Sequence, residues 1–579
     1  MATQRDLASR PASPTLNGGA SSLSTDGGRG RDTRTKTKEG NVVVTSAEIN
    51  ENVKREQNHG QLKNFSMLSM IGLAYCILNS WTAMAASMSV VLPSGGPVAV
   101  LWGLCVSFIG VLSLAASLAE ICHVYTTSGG PYHWAAILSP PSLAPIISWY
   151  TGWLACAGWT TLTATTGSLG ASLILGAYAL AHDSFEEQAY QIFVIFTGFM
   201  VLAAIINVYL PRLLPLINSA ALTWSLAGAF IIVIVTLSCS GARGNDFQSA
   251  KFVFGTYING TGWNGGVAWI LGLLQSAFGL VGVDALSHMV EEIPEPHTNV
   301  PKAMILAVVV GASSSFVFLM VLLFVITDVT AVISSSAGAL IETMYQSTQS
   351  RAGAICLAVL PQVSMLFAAQ GIMCASSRMV HAFARDRGLP FSTFFSKLDR
   401  RTAVPNRAVL LVAGWCVVFA LIYFGSSASF NAILSSSVVM LNMSYCVPIV
   451  CLLCRGRHLL RPESFPNPTF TLGPILGPLA NIVALAFTAL TTVFFVFPPE
   501  LPVSGSSMNY AVAVFGIVML LATGTWIFQG RKEFTGPRDL GGLLELARAE
   551  VNVEDGSRSR SHSRSRSRAR HQGEVERKA

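Results

Sequence analysis

Long stretches of this chain carry no charge. No Asp, Glu, Lys or Arg occurs in 65–119, 121–182, 188–211, 213–242, 252–283, 303–327, 352–377, 408–454, 464–499 or 501–530. A helix that crosses a bilayer needs about 20 apolar residues, and several of these windows hold enough for two. Breaking the runs at charges and at Pro/Gly/Asn clusters predicts about twelve crossings. They fall near 66–92, 97–121, 144–178, 189–209, 213–239, 265–290, 303–328, 352–379, 406–424, 428–454, 474–497 and 508–529. The third is long enough to tilt. "SAGALIETMY" (336–345) is expected as a short helix outside the bilayer. The pattern predicts an all-α polytopic membrane protein with a core over 65–530.

The ends differ from the core. Residues 1–64 are rich in Ser, Thr, Gly and Lys and have no apolar run. They read as a disordered cytosolic tail, since no apolar segment follows a short basic start as in a signal peptide. Residues 531–579 form a second tail containing "SRSRSHSRSRSRAR" (557–570). Beside a membrane body, such a segment reads as a phosphorylatable or lipid-facing basic tail rather than a nucleic-acid binder.

Composition agrees with this reading. Charged residues are 12% of the chain, about half the share in soluble domains, and mean hydropathy is +0.53. Much of the net charge of +7 comes from the C-terminal tail, so it carries no information about a substrate. The 11 cysteines lie almost wholly inside apolar runs. Cys451 and Cys454 form a pair with no second pair, and a structural zinc needs four ligands. No metal site is expected, and no cofactor.

Positive charge sets the expected sidedness, because loops rich in Lys and Arg stay in the cytosol. With the N-terminus inside, Arg212, Lys302, Arg378, Arg385, Arg387, Lys397, Arg400, Arg401, Arg407, Arg455, Arg457 and Arg461 face the cytosol. Only Arg243, Lys251 and Arg351 face out. Both termini are therefore expected to be cytosolic. The sequon Asn259-Gly260-Thr261 then falls in an outer loop, where glycosylation is expected.

Two crossings are unusual. The first reads "GLAYCILNSWTAMAAS" (72–87), with Asn79, Ser80 and Thr82 near its middle. The sixth reads "FGLVGVDALSHMVEE" (278–292), with Gly279 and Gly282 just before Asp284. Glycine weakens a helix by about 1 kcal/mol relative to alanine. An unwound segment at membrane depth is viable only where it lines a cavity or is buried in protein. Interrupted crossings at corresponding positions of two halves point to a transporter's binding site. A broken helix offers N–H groups to a carboxylate and carbonyls to an ammonium or cation. Gly279–Val283 is the expected link, with Asp284 starting the second half-helix, as its N-cap, as a contact for cation, proton or substrate, or as both. His288, four residues on, shares its face and is a candidate partner.

Five further stretches carry a family resemblance: "ILNSW" (77–81), "SGGPVAVLWG" (94–103), "TSGGPYHWAA" (127–136), "VDALSHMVEEIPEPHTNVPKAM" (283–304) and "SSRMVHAFARDRGLPFS" (376–392) with Val404-Pro405. In this order they resemble the amino acid–polyamine–organocation superfamily, and within it the fungal amino acid/choline branch with its GABA and choline permeases. The resemblance covers about 60–535. It implies a LeuT-like fold, with inverted repeats over about 65–240 and 265–455 and two extra helices over 474–529. It implies a solute site where the broken first and sixth crossings meet, helped by the third, eighth and tenth. Asn79, Ser80, Trp81, Thr82 and Ala83 are then site candidates, together with Phe278 as an aromatic gate, Gly279, Val281 and Gly282 in the unwound backbone, and Asp284. Asn-Ser-Trp stands where amino acid relatives often have Gly-Ser-Gly, which leaves room for quaternary or otherwise modified amines.

Other polar and aromatic residues have bland readings beside sharp ones. Trp149 and Tyr150 fit an interfacial belt, whereas Trp153 and Trp159 sit deeper and are candidates for cation–π contact. Glu120 is expected to meet cytosolic basic residues, and Glu291 and Glu292 to bridge to Arg385 or Arg387 as an inner gate. Gln370 is either a helix–helix hydrogen bond or a site residue. No HExxH, phosphate-binding loop or nucleophile elbow is present, so an enzyme or an ATP-driven pump is not expected. The expected function is a secondary transporter of an amino acid or small amine such as GABA or choline, with a proton as partner, in a plasma or vacuolar membrane. A metabolite exporter and a transporter-derived nutrient sensor are the alternatives.

Overall fold

In a computed structural model the described residues are 67–537, apart from 244–246, 400, 426–428, 462–467 and 506–507. The predicted N-terminal tail, the Arg-Ser segment and the rest of the C-terminal tail beyond residue 537, and Arg400 lie outside them. Among the described residues the chain is helical, with one isolated bridge between Ser94 and Asn259. Fifteen helices carry the argument: α1 (Met67–Leu78), α2 (Ser80–Ala86), α3 (Gly96–Val124), α4 (Pro131–Leu138), α5 (Ala144–Ala181), α6 (Ala189–Tyr209), α7 (Leu214–Ala242), α8 (Gly265–Phe278), α9 (Pro296–Val325), α10 (Ala339–Thr348), α11 (Arg351–Arg385), α12 (Asn406–Ala420), α13 (Ser429–Arg455), α14 (Gly473–Phe494) and α15 (Ala511–Thr525).

Among the described residues, eleven helical segments are long and apolar enough to cross a membrane. They match the expected crossings except the sixth, where α8 stops at Phe278 and a 3-10 segment, Ala285–Glu292, takes over. The expected outer helix appears as α10. Several helices outrun the charge-free windows. α9 begins at Pro296 and contains Pro301 and Lys302, and α11 continues to Arg385. Charge marks where lipid ends, whereas a helix continues as long as its backbone bonds are made and water receives its side chains.

Local chemistry sets the helix starts. Proline stands in the first turn of α3, α4, α5 and α9, where its missing N–H costs nothing. The Asn264 side chain accepts from Val267 N–H at the start of α8, and Ser350 from Gly353 N–H at the start of α11. Gln188 and Gln191 form a reciprocal capping box at the start of α6. α5 is the central strut. It packs along α11 and α13, while α3 packs against α9 and α14. Glycines set the closest approaches. A Cβ on Gly152 would sit 2.3 Å from the Phe383 ring, and one on Gly110 2.3 Å from Phe487.

Candidate functional site

The first break lies between α1 and α2. Asn79 holds φ 42° and ψ 39°, the left-handed conformation, which Asn tolerates better than other non-glycine residues. The ladder of α1 runs as far as the Asn79 N–H, which donates to Tyr75 O at 2.8 Å, and α2 starts afresh with the Ala83 N–H on Asn79 O at 2.9 Å. The break thus places the carbonyl end of α1 beside the amide end of α2, the ends where a helix has unmet groups.

The second break runs from Gly279 to Asp284. Gly282 has φ 93°, a region strained for any residue with a Cβ. The two breaks are tied together. Gln275 Nε2 donates to Met84 O at 2.5 Å, and a Cβ on Gly279 would sit 2.5 Å from Met84.

Between the breaks lies a very small cavity of about 10 Å³, on the scale of one water, with Asn79, Ala83, Phe278 and Val281 on its wall. Leu162 and Thr166 of α5 and Met365 and Ala368 of α11 complete the polar and apolar faces. All of these residues are at most 4% exposed, so the cavity is buried. Asn79 Nδ2 points to Met365 Sδ at 3.4 Å.

Beside the cavity, Asp284 is 0% exposed. It occupies the N-cap position of the 3-10 segment, but its side chain makes no cap hydrogen bond. The carboxylate faces inward instead. Tyr445 of α13 donates to Oδ1. Trp159 Nε1 of α5 lies 3.5 Å from Oδ2, and His288 Nε2 lies 3.0 Å from it. The other His288 nitrogen, Nδ1, lies 3.1 Å from the Ser128 carbonyl. A carbonyl can only accept, so Nδ1 carries a hydrogen. A hydrogen bond between Nε2 and Asp284 then requires a second proton, on the ring or on the carboxyl.

The amino acid permease family matches residues 65–520. The chain belongs to that family. It is 34% identical to a choline transporter of Saccharomyces cerevisiae over 82% of each chain. It is also 34% identical to a putative amino acid/polyamine transporter of Macrophomina phaseolina, over 77% of this chain and 97% of the relative. An amino-acid permease of Arabidopsis thaliana is 29% identical, over 82% of this chain and 92% of that one. The protein is accordingly a multi-pass membrane permease rather than an enzyme.

At the Lys- and Arg-rich end, a cluster of ion pairs and hydrogen bonds joins α11 to the 3-10 segment and to the loop before α4. Arg385 Nη1 meets Glu291 Oε1 at 3.1 Å, and Arg385 Nη2 donates to Ser128 Oγ at 2.9 Å. The Ser128 hydroxyl donates to Glu291 Oε1 at 2.8 Å. Partial burial pushes the Glu291 carboxyl up, but Arg385 and the Ser128 hydroxyl outweigh it and hold it below the usual range. A depressed carboxyl keeps its ion pair above the usual range and loses it only as pH falls through the lowered value. The pair therefore stays charged in neutral and mildly acidic conditions. Glu292 pairs with Arg378 at 2.6 Å, not with Arg385 or Arg387. Arg387 instead faces Glu533 at 3.9 Å. Arg378 lies two turns before Arg385 on the same face of α11, a register that charge order alone does not reveal.

Behind this cluster, Tyr132 and His133 of α4 donate to Asp386 Oδ2 at 2.9 and 2.7 Å. Burial pushes Asp386 up, and the hydrogen bond from His133 more than reverses it. Burial lowers His133, whose Nδ1 has no partner, so this ring is neutral with its hydrogen on Nε2.

Other expected residues are placed elsewhere. Trp81 does not line the cavity. Its Nε1 donates to Ser225 Oγ at 2.7 Å and its ring packs on Phe318. Ser80 Oγ and Thr82 Oγ1 are buried without partners, and Ser80 faces Gly311 of α9. In the left-handed turn at Asn79 the chain swings these side chains toward α7 and α9. Glu120 accepts from Arg457 at 2.5 Å and from Thr471 Oγ1 and Leu472 N, which ties α3 to the segment before α14 rather than to that cluster. Trp149 is not a lipid-facing belt residue. It is 1% exposed, donates to Ala522 O and packs on Phe383, Trp526 and Phe534. Gln370 donates to Asn218 Oδ1 at 2.9 Å, a link between α11 and α7. Asn259 is exposed, with its Nδ2 on Trp263 O. Two contacts escape the sequence reading, Tyr445 and Ser128. A mid-helix tyrosine in an otherwise aliphatic and small-residue span was the available signal for the first.

Proposed function

We propose that the permease is a secondary transporter that moves an amino acid or related small amine, such as GABA or choline, by alternating access driven by a proton. One observation carries this reading: a buried Asp284–His288 pair that needs a shared proton sits against the cavity between two broken helices. The carbonyl end of α1 suits an ammonium group, and the amide end of α2 suits a carboxylate. Phe278 supplies an aromatic face for a quaternary amine. The names of the yeast and Macrophomina relatives support this substrate class. The Asp284–His288 unit is neutral when protonated and carries an uncompensated charge when not, which gives a proton gradient something to act on. The basic end is the cytosolic one in this reading, with both termini inside, the repeats over 65–240 and 265–455 rocking around the breaks, and Asn259 exposed outside for glycosylation.

The test is uptake by the purified permease in proteoliposomes. A panel of labelled amino acids, GABA, polyamines and choline is assayed with and without an inward proton gradient. Saturable uptake that the gradient accelerates is expected. Saturable uptake indifferent to the gradient would remove the proton, and movement of no panel solute in either direction would remove the amine-permease reading.

A further inference from the structure

Two buried histidines sit within a short distance of the same loop, and their surroundings differ. His133 has an acceptor at Nε2 only, and its Nδ1 is unpartnered. His288 has an acceptor at each nitrogen, the Ser128 carbonyl and the Asp284 carboxylate. His133 can stay neutral without loss, whereas His288 cannot keep both contacts without the second proton.

Ser128 stands between this proton and the gate. Its carbonyl takes the His288 Nδ1–H. Its hydroxyl holds Glu291 and Arg385 on the other side. The residue is 5% exposed. It lies in the "TSGG" loop between α3 and α4, which turns back through Gly130 at φ 57°. A Cβ at Gly130 would meet Ser287 Oγ at 2.6 Å and the His288 ring at 3.1 Å. The loop therefore lies directly against the ring, with no slack to absorb a shift.

We propose that Ser128 is the positioning residue through which the proton on Asp284 and His288 controls the gate at the basic end. The proposal rests on the reading that this pair holds the coupling proton. With the proton present, the ring is held between Asp284 and the loop, and the Ser128 hydroxyl stays aligned between Glu291 and Arg385. When the proton leaves, a carboxylate oxygen faces a bare ring nitrogen. The ring turns or moves, the carbonyl loses its donor, and the loop releases the hydroxyl from the gate.

The neighbouring titratable groups do not supply the switch. Tyr445 of α13 faces Asp284 as a donor, and Cys122 of α3 lies near it. His133 and Asp386 face the loop as a satisfied pair. The gate pair is surrounded by His381 and Arg378 of α11. Glu291 is held ionised by Arg385 and the Ser128 hydroxyl.

Hydrogen–deuterium exchange on the intact protein in nanodiscs tests this without a substrate. The peptides covering 126–131 and 289–292 are followed across neutral to mildly alkaline pH, corrected for intrinsic exchange. Wild-type protection is expected to fall as pH rises. Asp284→Asn keeps a donor toward Nε2 and is expected to stay protected throughout. Ser128→Ala and Glu291→Gln are expected to exchange about tenfold faster at every pH, as loss of a charge-assisted hydrogen bond implies. A pH response of the 289–292 peptide present in wild type, absent in Asp284→Asn, but intact in Ser128→Ala would overturn the role of Ser128 alone, since that variant keeps the carbonyl and loses only the hydroxyl. So would wild-type protection in Glu291→Gln. No pH response in wild type would overturn the proton reading beneath it.

Discussion

Gly282 holds the centre of the second break at φ 93°. A side chain there costs roughly 1–2 kcal/mol from the backbone alone, and its Cβ would lie 3.3 Å from the Trp159 ring. Gly282→Ala is expected to lower the melting temperature in detergent and to reduce uptake, whereas a glycine in an open loop, such as Gly505, tolerates the same change. Tyr445 gives a sharper test, because its hydroxyl is a donor to Asp284. Tyr445→Phe removes a hydrogen bond to a charged group, worth about 1.5–3 kcal/mol. Proton-driven uptake is expected to fall about tenfold or more while size-exclusion behaviour is unchanged; normal uptake would show that the hydroxyl does not matter to the proton. The place of Asp284 at a break was legible because Gly279 and Gly282 mark it locally. Its partners were not, since Tyr445 lies 161 positions away in the chain and only packing brings the two together.

At the scale of elements, the crossings were legible because lipid excludes charge, so uncharged windows report membrane depth directly. The helix ends were not, because α9 and α11 continue through charged residues once water is within reach. α4 was hidden for the opposite reason. It lies inside the long charge-free window 121–182, but its 8 residues are too few to span, and its Tyr132, His133 and Trp134 are buried by protein. Glu120 meets a basic residue as its position in the sequence leads one to expect, and the partner is Arg457. It is 2% exposed and joins α3 to the α14 entrance through Arg457, Thr471 and Leu472. Breaking such a buried pair typically costs about 3–5 kcal/mol. Glu120→Ala is expected to destabilise the purified protein by that order in a thermal melt; an unchanged melt would show that the bridge adds nothing.

Across the whole molecule, the buried cavity and the two breaks lie near the Asp284–His288 pair, and the proposed function makes that pair the proton site and the ion pairs at the basic end a gate. Transport requires these to open in turn, and coupling requires that a proton bias the order. Asp284→Asn in proteoliposomes tests that claim most directly, by comparing gradient-driven uptake with solute exchange at equal pH on both sides. Exchange is expected to persist while acceleration by the inward proton gradient disappears. A mutant that still concentrates solute when the gradient is applied would contradict the account, because Asp284 would then be only a structural acceptor for Tyr445, Trp159 and His288.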